Sequence, residues 1–502
     1  MNLAVLLTMA ADALGDRGAI SGGGHHLSYR DLRDAAADFA TTLPVEASAV
    51  VYAGPITAAT PIALFGAAWA GCSFAPLNYR LPQDALIPLA TALAPAQVVA
   101  AADRFESLAE ALPSGRLDED LLIAPCAVPT NDPVEAPSRP AVLLYTSGTS
   151  AAPKVAALGH DNLLSYIWNT VELAAAGEEE AALVAVPSFH IAGIAALLSN
   201  VYAGRRIVPM ASFSAERWLR SARDEKITHA FLVPTMLARI VECAQAHPEL
   251  ERPDLRVLSY GGARMPLPVL EAALQLFPMT SFVNAYGLTE TSSTVALLSP
   301  EDHRRARDGD DVARRRLGSV GRAIPGIEIE VVDDAGVALA HESEGRLRIR
   351  GSQVGGTYLD GTAALGDDGW LLTGDRGRID PDGYVWVLGR EDDVVIRGGE
   401  NITPAEIEDA LLRHPDIAQS AVVGLPDVQW GEQIAAAVVL RGGRALSAHE
   451  VRAHVQATIG TFKTPTTVAF VTELPMTPSG KVLRRVVRER LLAQVIGEAD
   501  RR

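Results

Sequence analysis

The sequence predicts an α/β protein: a large N-terminal part of layered sheets followed by a small, mixed α and β C-terminal part. Three observations lead there. Short apolar runs with strand character alternate with helical patterns over most of the chain. From about residue 319 the pattern changes to period two, as in half-exposed antiparallel strands. The length of 502 residues also exceeds what one hydrophobic core serves, so at least two domains are expected.

The elements follow in order. Leu3, Leu6, Leu7, Ala10 and Leu14 fall at helical spacing, and no basic segment precedes them, so an amphipathic helix is expected rather than a signal peptide. Residues 49–52 read as a buried strand, 60–71 as a helix and 73–77 as a strand. Further strands are expected at 142–145, 182–186, 207–210, 230–233 and 257–260. Residues 327–332 and 345–350 alternate apolar with charged, and Asp333-Asp-Ala-Gly336 and Asp380-Pro-Asp-Gly383 read as turns. The mixed-sign stretch 301–316 reads as a solvated surface loop. After Arg390 mixed α and β character returns for the remaining residues.

Composition narrows the function. Acidic residues number 61 against 44 Lys plus Arg, a net charge of −17, which argues against a nucleic-acid partner. Hydrophobic residues make up 48%, enough for large cores, yet no apolar stretch reaches the ~20 residues of a membrane span. Three scattered cysteines lack metal-ligand spacing and fit a reducing compartment. A soluble cytoplasmic protein is expected.

Candidate chemistry gathers in a few motifs. Tyr145-Thr-Ser-Gly-Thr-Ser-Ala-Ala-Pro-Lys154 follows an apolar run. Hydroxyls, a glycine and a lysine after a strand suit a polyphosphate. The spacing of a Walker loop is absent. Gly261-Gly262-Ala263 offers backbone that a planar ring can approach, or a plain turn. In Tyr286-Gly-Leu-Thr-Glu290, Tyr286 offers a stacking face, and Thr289 and Glu290 offer hard oxygens for Mg²⁺. Asp375 can accept two ribose hydroxyls, or serve as a turn aspartate. Arg390, the loop 397–401 and Lys481 add a cation, a flexible segment and a turn-borne lysine.

Taken together these motifs resemble the adenylate-forming superfamily, which includes acyl-CoA synthetases, over nearly the whole chain. Leu27-Ser-Tyr-Arg-Asp-Leu32, Pro187-Ser-Phe-His-Ile-Ala-Gly193, Pro404-Ala-Glu-Ile-Glu408 and Asp427-Val-Gln-Trp-Gly-Glu432 match further family segments in the right order. The resemblance implies an N-terminal domain of residues 1–391, with layered sheets and a small β-barrel-like part. It also implies a mobile C-terminal domain of residues 392–502, hinged at Asp392. It implies an AMP-forming ligase that uses ATP and Mg²⁺ to activate a carboxylic acid, fatty or other, and passes the acyl group to CoA. Homodimers are common in the superfamily.

By resemblance, Thr146, Ser147, Gly148, Thr149 and Lys154 hold phosphates, Glu290 binds Mg²⁺ and Thr289 the α-phosphate. Tyr286 with Gly261, Gly262 and Ala263 holds adenine, and Asp375 and Arg390 the ribose. Lys481 stabilises charge in adenylation, His190 lies near the acyl group, and Gly399 lines the pantetheine path. The sequence departs from the family at Ser150, Ala151 and Val155 in the phosphate loop, the last two being positions usually held by glycine. These departures motivate one alternative, a weakened adenylate- or acyl-CoA-binding protein; a ligase that loads a carrier protein is a second alternative within the same family. Arg264 replaces a usual proline and is expected either to meet a second carboxylate or to close an ion pair. Ala285, where glycine is common, narrows the acyl pocket.

Overall fold

The computed structural model describes residues 1–100, 108, 116–118, 131–135, 137–146, 154–398, 400–477 and 481–499. Two large sheets form the N-terminal part. The first has nine strands, and its centre is parallel: Ser281–Leu288, Val257–Gly261, His229–Leu232, Ala181–Val184, Arg206–Pro209 and Gly18–Gly22 lie side by side. The second has seven strands around Val142–Thr146, Ser73–Pro76, Ala49–Ala53 and Ala96–Ala100. The strand expectations from apolar runs match these elements to within a residue or two at each end.

Parallel strands need crossovers, and here helices supply them. The helix Ala59–Trp69 is apolar on every side, and all its residues are buried between the layers. The helix Tyr29–Thr42 starts at Ser28, whose side chain forms a reciprocal capping box with Asp31. The helix Ile191–Ala203 stops at Gly204, a left-handed C-cap. Together these helices and the facing strands close one continuous core around Tyr52, Phe65 and Phe74.

The period-two region is a four-stranded antiparallel sheet, in the order Ile327–Val332, Gly345–Gly351, Leu371–Ile379 and Val385–Arg390. The last sheet draws only on residues 395–470, with Gly431–Leu440 central between Ile417–Asp427 and the parallel Thr467–Phe470. It has its own apolar clusters, around Ile407, Val422 and Ile434 on one side and Ala437, Val487 and Leu491 on the other.

One expectation fails. Residues 301–316 are not a loop but two short helices, Pro300–Arg307 and Asp311–Arg316. Ser299 and Asp302 form a capping box, Pro300 takes the first helical position, and Asp310 caps the second helix through the Val312 and Ala313 N–H groups. The charged residues pair along the surface, as in Arg304–Glu301 and Arg305–Asp310. Asp302, His303, Ala306 and Ala313 turn inward. Asp302 accepts from the Tyr384 hydroxyl at 2.6 Å, and the His303 ring lies 2.8 Å from the Tyr260 hydroxyl. The charge count concealed a start signal that Ser299-Pro-Glu-Asp302 spells out.

Asp302 therefore caps a helix and also holds the four-stranded sheet to it. Asp302→Ala should lower unfolding free energy by about 1–3 kcal/mol, from a lost cap and an unpaired buried hydroxyl. Urea denaturation with an unchanged m-value checks this.

Candidate functional site

The site is built where strand ends from both parts converge. Leu371–Ile379 carries Asp375 opposite Arg390 on the neighbouring strand. Asp375 is buried, at 7% exposure, which for a carboxylate demands partners. It accepts from the Tyr286 hydroxyl at 2.6 Å and from Arg390 Nη1 at 3.3 Å. Its N–H donates to Thr373 Oγ1 at 3.0 Å, and Arg390 also donates to the Thr373 carbonyl at 2.9 Å. Gly374 makes the turn possible. Its φ is +71°, and a Cβ there would lie 2.9 Å from Arg390 Nη2.

Burial raises the Asp375 carboxyl above its ordinary range, opposed by the Tyr286 hydrogen bond and then by Arg390 and Lys481. Burial likewise drives the Tyr286 phenol well up, with Asp375 adding to it. Tyr286 is thus a neutral donor fixed beside the carboxylate.

Lys481 closes the site from the C-terminal part. Its backbone N–H donates to Thr477 Oγ1 at 3.0 Å, and the Thr477 N–H donates to the Lys481 carbonyl at 2.7 Å, so the two residues bracket a turn. Although Lys481 is exposed over its surface as a whole, the atoms around its ammonium desolvate it and push it below the usual lysine range. Asp375 and Glu290 oppose that shift and Arg390 adds to it. Desolvation likewise lowers His190, to about 4, with Lys481 and Arg80 contributing. His190 is therefore neutral at neutral pH, and its buried Nε2 has no hydrogen-bond partner among the described residues.

Glu290 follows the strand Ser281–Leu288. One carboxylate oxygen accepts from the Tyr358 hydroxyl at 3.0 Å, and the Lys154 ammonium lies 5.0 Å from the centre of the Tyr358 ring. Lys154 and Thr146 face each other at the open end of a two-stranded ladder, where Thr146 Oγ1 donates to the Lys154 carbonyl at 3.2 Å. Sequence reasoning missed Tyr358, because nothing in Gly355-Gly-Thr-Tyr358 signals a partner for Glu290. No group of three or more metal-ligating side chains exists among the described residues. Mg²⁺ takes one or two carboxylates and completes its shell with phosphate oxygens and water, and Glu290 offers one carboxylate here.

Ser147, Gly148, Thr149, Ser150, Ala151 and Gly399 lie outside the described residues. Val155 pairs with Tyr145 inside the strand Lys154–Leu158, where a β-branched residue is at ease. Extended strand backbone at Val155 does not need the positive φ that a glycine position can require. Gly261 ends its strand against Ala285, where a Cβ would meet the Ala285 carbonyl oxygen at 2.1 Å. Gly262 follows with φ +81° and, with Ala263, is exposed.

A cavity of about 280 Å³ runs from Gly262, Ala285 and Gly287 down between the parallel strands and the helix Ile191–Ala203. Its walls are mostly small and apolar, including Val184, Ala195, Phe231 and Val283.

Arg264 does not reach this cavity. It donates through Nη1 to Asp409 Oδ1 at 3.0 Å and to the Ala405 carbonyl at 3.2 Å, and its Nη2 also contacts Asp409. It thus joins the N-terminal part to the helix Pro404–Leu412. Arg441 reaches Glu242 across the same boundary at 3.5 Å.

The chain matches the family described as AMP-binding enzyme over residues 7–359, and that described as AMP-binding enzyme C-terminal domain over residues 406–481. It is 34% identical to an indoleacetate–CoA ligase of Aromatoleum aromaticum, over 92% of this chain and 93% of the relative. It is 32% identical to a feruloyl-CoA synthase of an Amycolatopsis species, over 94% and 95%. The structure of an o-succinylbenzoate CoA synthetase from Bacillus subtilis, in complex with its acyl-adenylate intermediate, superposes with a TM-score of 0.82 at 27% identity, covering 96% of this chain and 97% of that one.

The structure shows the Arg264–Asp409 contact together with Lys481 beside Asp375 and Glu290. Arg264→Ala should slow acid-dependent pyrophosphate release about 1.4- to fivefold, the ~0.2–1 kcal/mol of a partly exposed ion pair. Thioester formation from preformed acyl-adenylate should not fall. Measuring both half-reactions checks it.

Proposed function

This chain belongs to the AMP-binding enzyme family of AMP-forming acid–thiol ligases, and we propose that its acid is a compact aryl or arylalkyl carboxylate and its acceptor CoA. One observation carries the assignment of roles: Lys481, Asp375, Arg390 and Glu290 share one electrostatic neighbourhood although they come from three separate segments. The first half-reaction joins a carboxylate oxygen to the α-phosphorus of ATP and expels pyrophosphate. Such a step needs positioning and charge stabilisation more than a covalent catalyst.

In this reading Asp375 gives up its bonds to Tyr286 and Arg390 in favour of the ribose hydroxyls. Gly261, Gly262, Ala263 and the Tyr286 ring hold adenine. Lys154, Thr146 and the loop between them hold the β- and γ-phosphates. Glu290 takes Mg²⁺, which offsets phosphate charge when bound, and Thr289 donates to the α-phosphate. Lys481 bridges carboxylate and α-phosphate as negative charge shifts between them. Neutral His190 stands beside Lys481 and excludes water from it.

Asp392 serves as the hinge. Glu391 is held to Arg346 at 3.4 Å, and Asp393 to Arg484 at 3.5 Å, so the anchors on either side belong to different domains. Asp392 between them is exposed. A turn there withdraws Lys481 and brings the segment around Gly399 to the acyl group. The domains are residues 1–391 and 392–502.

An aryl acid narrows the fatty-or-other acid expected from sequence. Indoleacetate, feruloyl and succinylbenzoate groups in the names of relatives all contain an aromatic ring. The cavity also lies near the lower end of the ~300–1,000 Å³ that holds drug-sized ligands, which suits a ring better than a long chain. Ala285 narrows it further. Retention of Lys481 argues against a weakened binding protein. We assign the protein to the cytoplasm, where Cys72 and Cys243 stay thiols.

Lys481→Ala should cut pyrophosphate release about 10²–10³-fold while leaving CoA thioester formation from preformed acyl-adenylate nearly intact. Equal loss in both half-reactions would refute the role given to Lys481. A panel of aryl, fatty and dicarboxylic acids, with and without CoA, tests the substrate class. Turnover confined to fatty acids would refute the aryl reading.

A further inference from the structure

We propose that His229 reads the distal end of the acyl group, accepting a hydrogen bond at Nε2 from a hydroxyl or N–H on the far side of the substrate's ring. This rests on the aryl-acid reading above and deepens it.

The register of the parallel strands sets the geometry. Phe231, Ser259 and Val283 form one rung of the cavity wall, with Gly261 and Ala285 on the rung towards the nucleotide residues. His229, paired with Ala182 and Val257, forms the rung on the opposite side. Side chains two residues apart share a face, so His229 sits about 13 Å below Gly261 along the strand. The cavity lining is mostly apolar but includes His229, on the rung farthest from Gly261, and the polar Asn200 and Arg205, whose Nη1 lies 3.5 Å from Asn200 Oδ1.

Counting hydrogens fixes what that floor offers. Thr228 Oγ1 donates its one hydrogen to the Ala181 carbonyl at 3.1 Å and accepts the Ala181 N–H at 3.0 Å. With that hydrogen on the carbonyl, a lone pair faces His229 Nδ1, 2.9 Å away, and Nδ1 is taken as the protonated nitrogen. Glu180 Oε2, 3.7 Å from the same nitrogen, favours that tautomer. Nε2 is then a bare acceptor, and it has no hydrogen-bond partner among the described residues. Desolvation, followed by Arg205, lowers the ring's affinity for a second proton to a pKa of about 4, so it does not become a donor at neutral pH.

The floor also disfavours a second carboxylate. Glu180 already accepts from Arg205 Nε at 3.0 Å and from Arg256 Nη1 at 3.2 Å. A distal carboxylate would meet a guanidinium already neutralised and an acceptor nitrogen. A neutral donor on the ring meets complementary chemistry instead.

The test compares three acids of one scaffold: 3-phenylpropanoic acid and its 4-hydroxy and 4-methoxy derivatives, the last an acceptor without a donor. In the full-length enzyme with ATP, Mg²⁺ and CoA, the hydroxy acid should exceed both others in kcat/KM about tenfold, the worth of one hydrogen bond. H229L should bring the hydroxy-to-unsubstituted ratio close to one, and H229Q, which keeps an acceptor oxygen, should restore part of it. Thermal unfolding of both variants separates misfolding from lost recognition. Calorimetric Kd values for the three acyl-sulfamoyl adenosine mimics should rank the same way without turnover. Equal Kd values in the wild type, or an H229L variant that keeps the hydroxy preference, would overturn the proposal. Absence of pyrophosphate release from every acid, with the mimics still ranked, would sink the ligase reading and leave the His229 assignment standing.

Discussion

The rest of the site depends on one buried carboxylate. Asp375 is the point where the nine-stranded sheet, through Tyr286, meets the four-stranded sheet, through Arg390 and Thr373. Lys481 of the C-terminal domain adds a third body through its charge. A carboxylate with little access to water is costly unless it is paired and hydrogen-bonded. Here desolvation drives its proton affinity up, while a phenol, a guanidinium and an ammonium pull it back. The balance explains why the groups can be exchanged. In the proposed function a ribose diol would offer two donors in place of Tyr286 and Arg390.

Close backbone contact is the second constraint. The strands carrying Gly261 and Ala285 approach so nearly that no side chain fits between them at Gly261, and Gly374 must take a positive φ to bring Asp375 and Arg390 together. Small residues therefore have two separate uses. At Gly261 and Gly374 they permit a close backbone approach and a tight turn, and along the helix Ile191–Ala203 alanines leave room for the cavity. The cavity is what a parallel sheet and an alanine-rich helix leave when their facing side chains are short.

Much of this was legible in the sequence, for physical reasons. Apolar runs separated by helical patterns can be buried only as a parallel sheet with crossovers, so the strands fell where expected. Hydroxyls, glycines and lone charges after strands marked the site, because such residues gain nothing from burial elsewhere. What escaped depends on contacts remote in sequence or hidden by composition. Arg264 finds Asp409, 145 positions away, on the other domain. Tyr358 reaches Glu290 from an edge strand, and His229 lies at the cavity floor solely because of strand register. The helices at 300–316 were masked by charge, although their caps were readable.

The interdomain contacts bear on how such an enzyme alternates between two half-reactions. A conformational exchange is fast and reversible only when its two states differ by a few kcal/mol. The described ion pairs joining the domains are Arg264–Asp409 and Arg441–Glu242, and both are at least partly exposed. Such pairs are worth about 0.2–1 kcal/mol each and are weakened further by salt. The strong, buried interactions lie within the domains: Arg484 with Glu408 at 2.5 Å in the C-terminal domain, and Asp375 with Tyr286 in the N-terminal one. Stability is thus placed where the structure must persist. The surface that Lys481 brings with it is held by contacts weak enough to release.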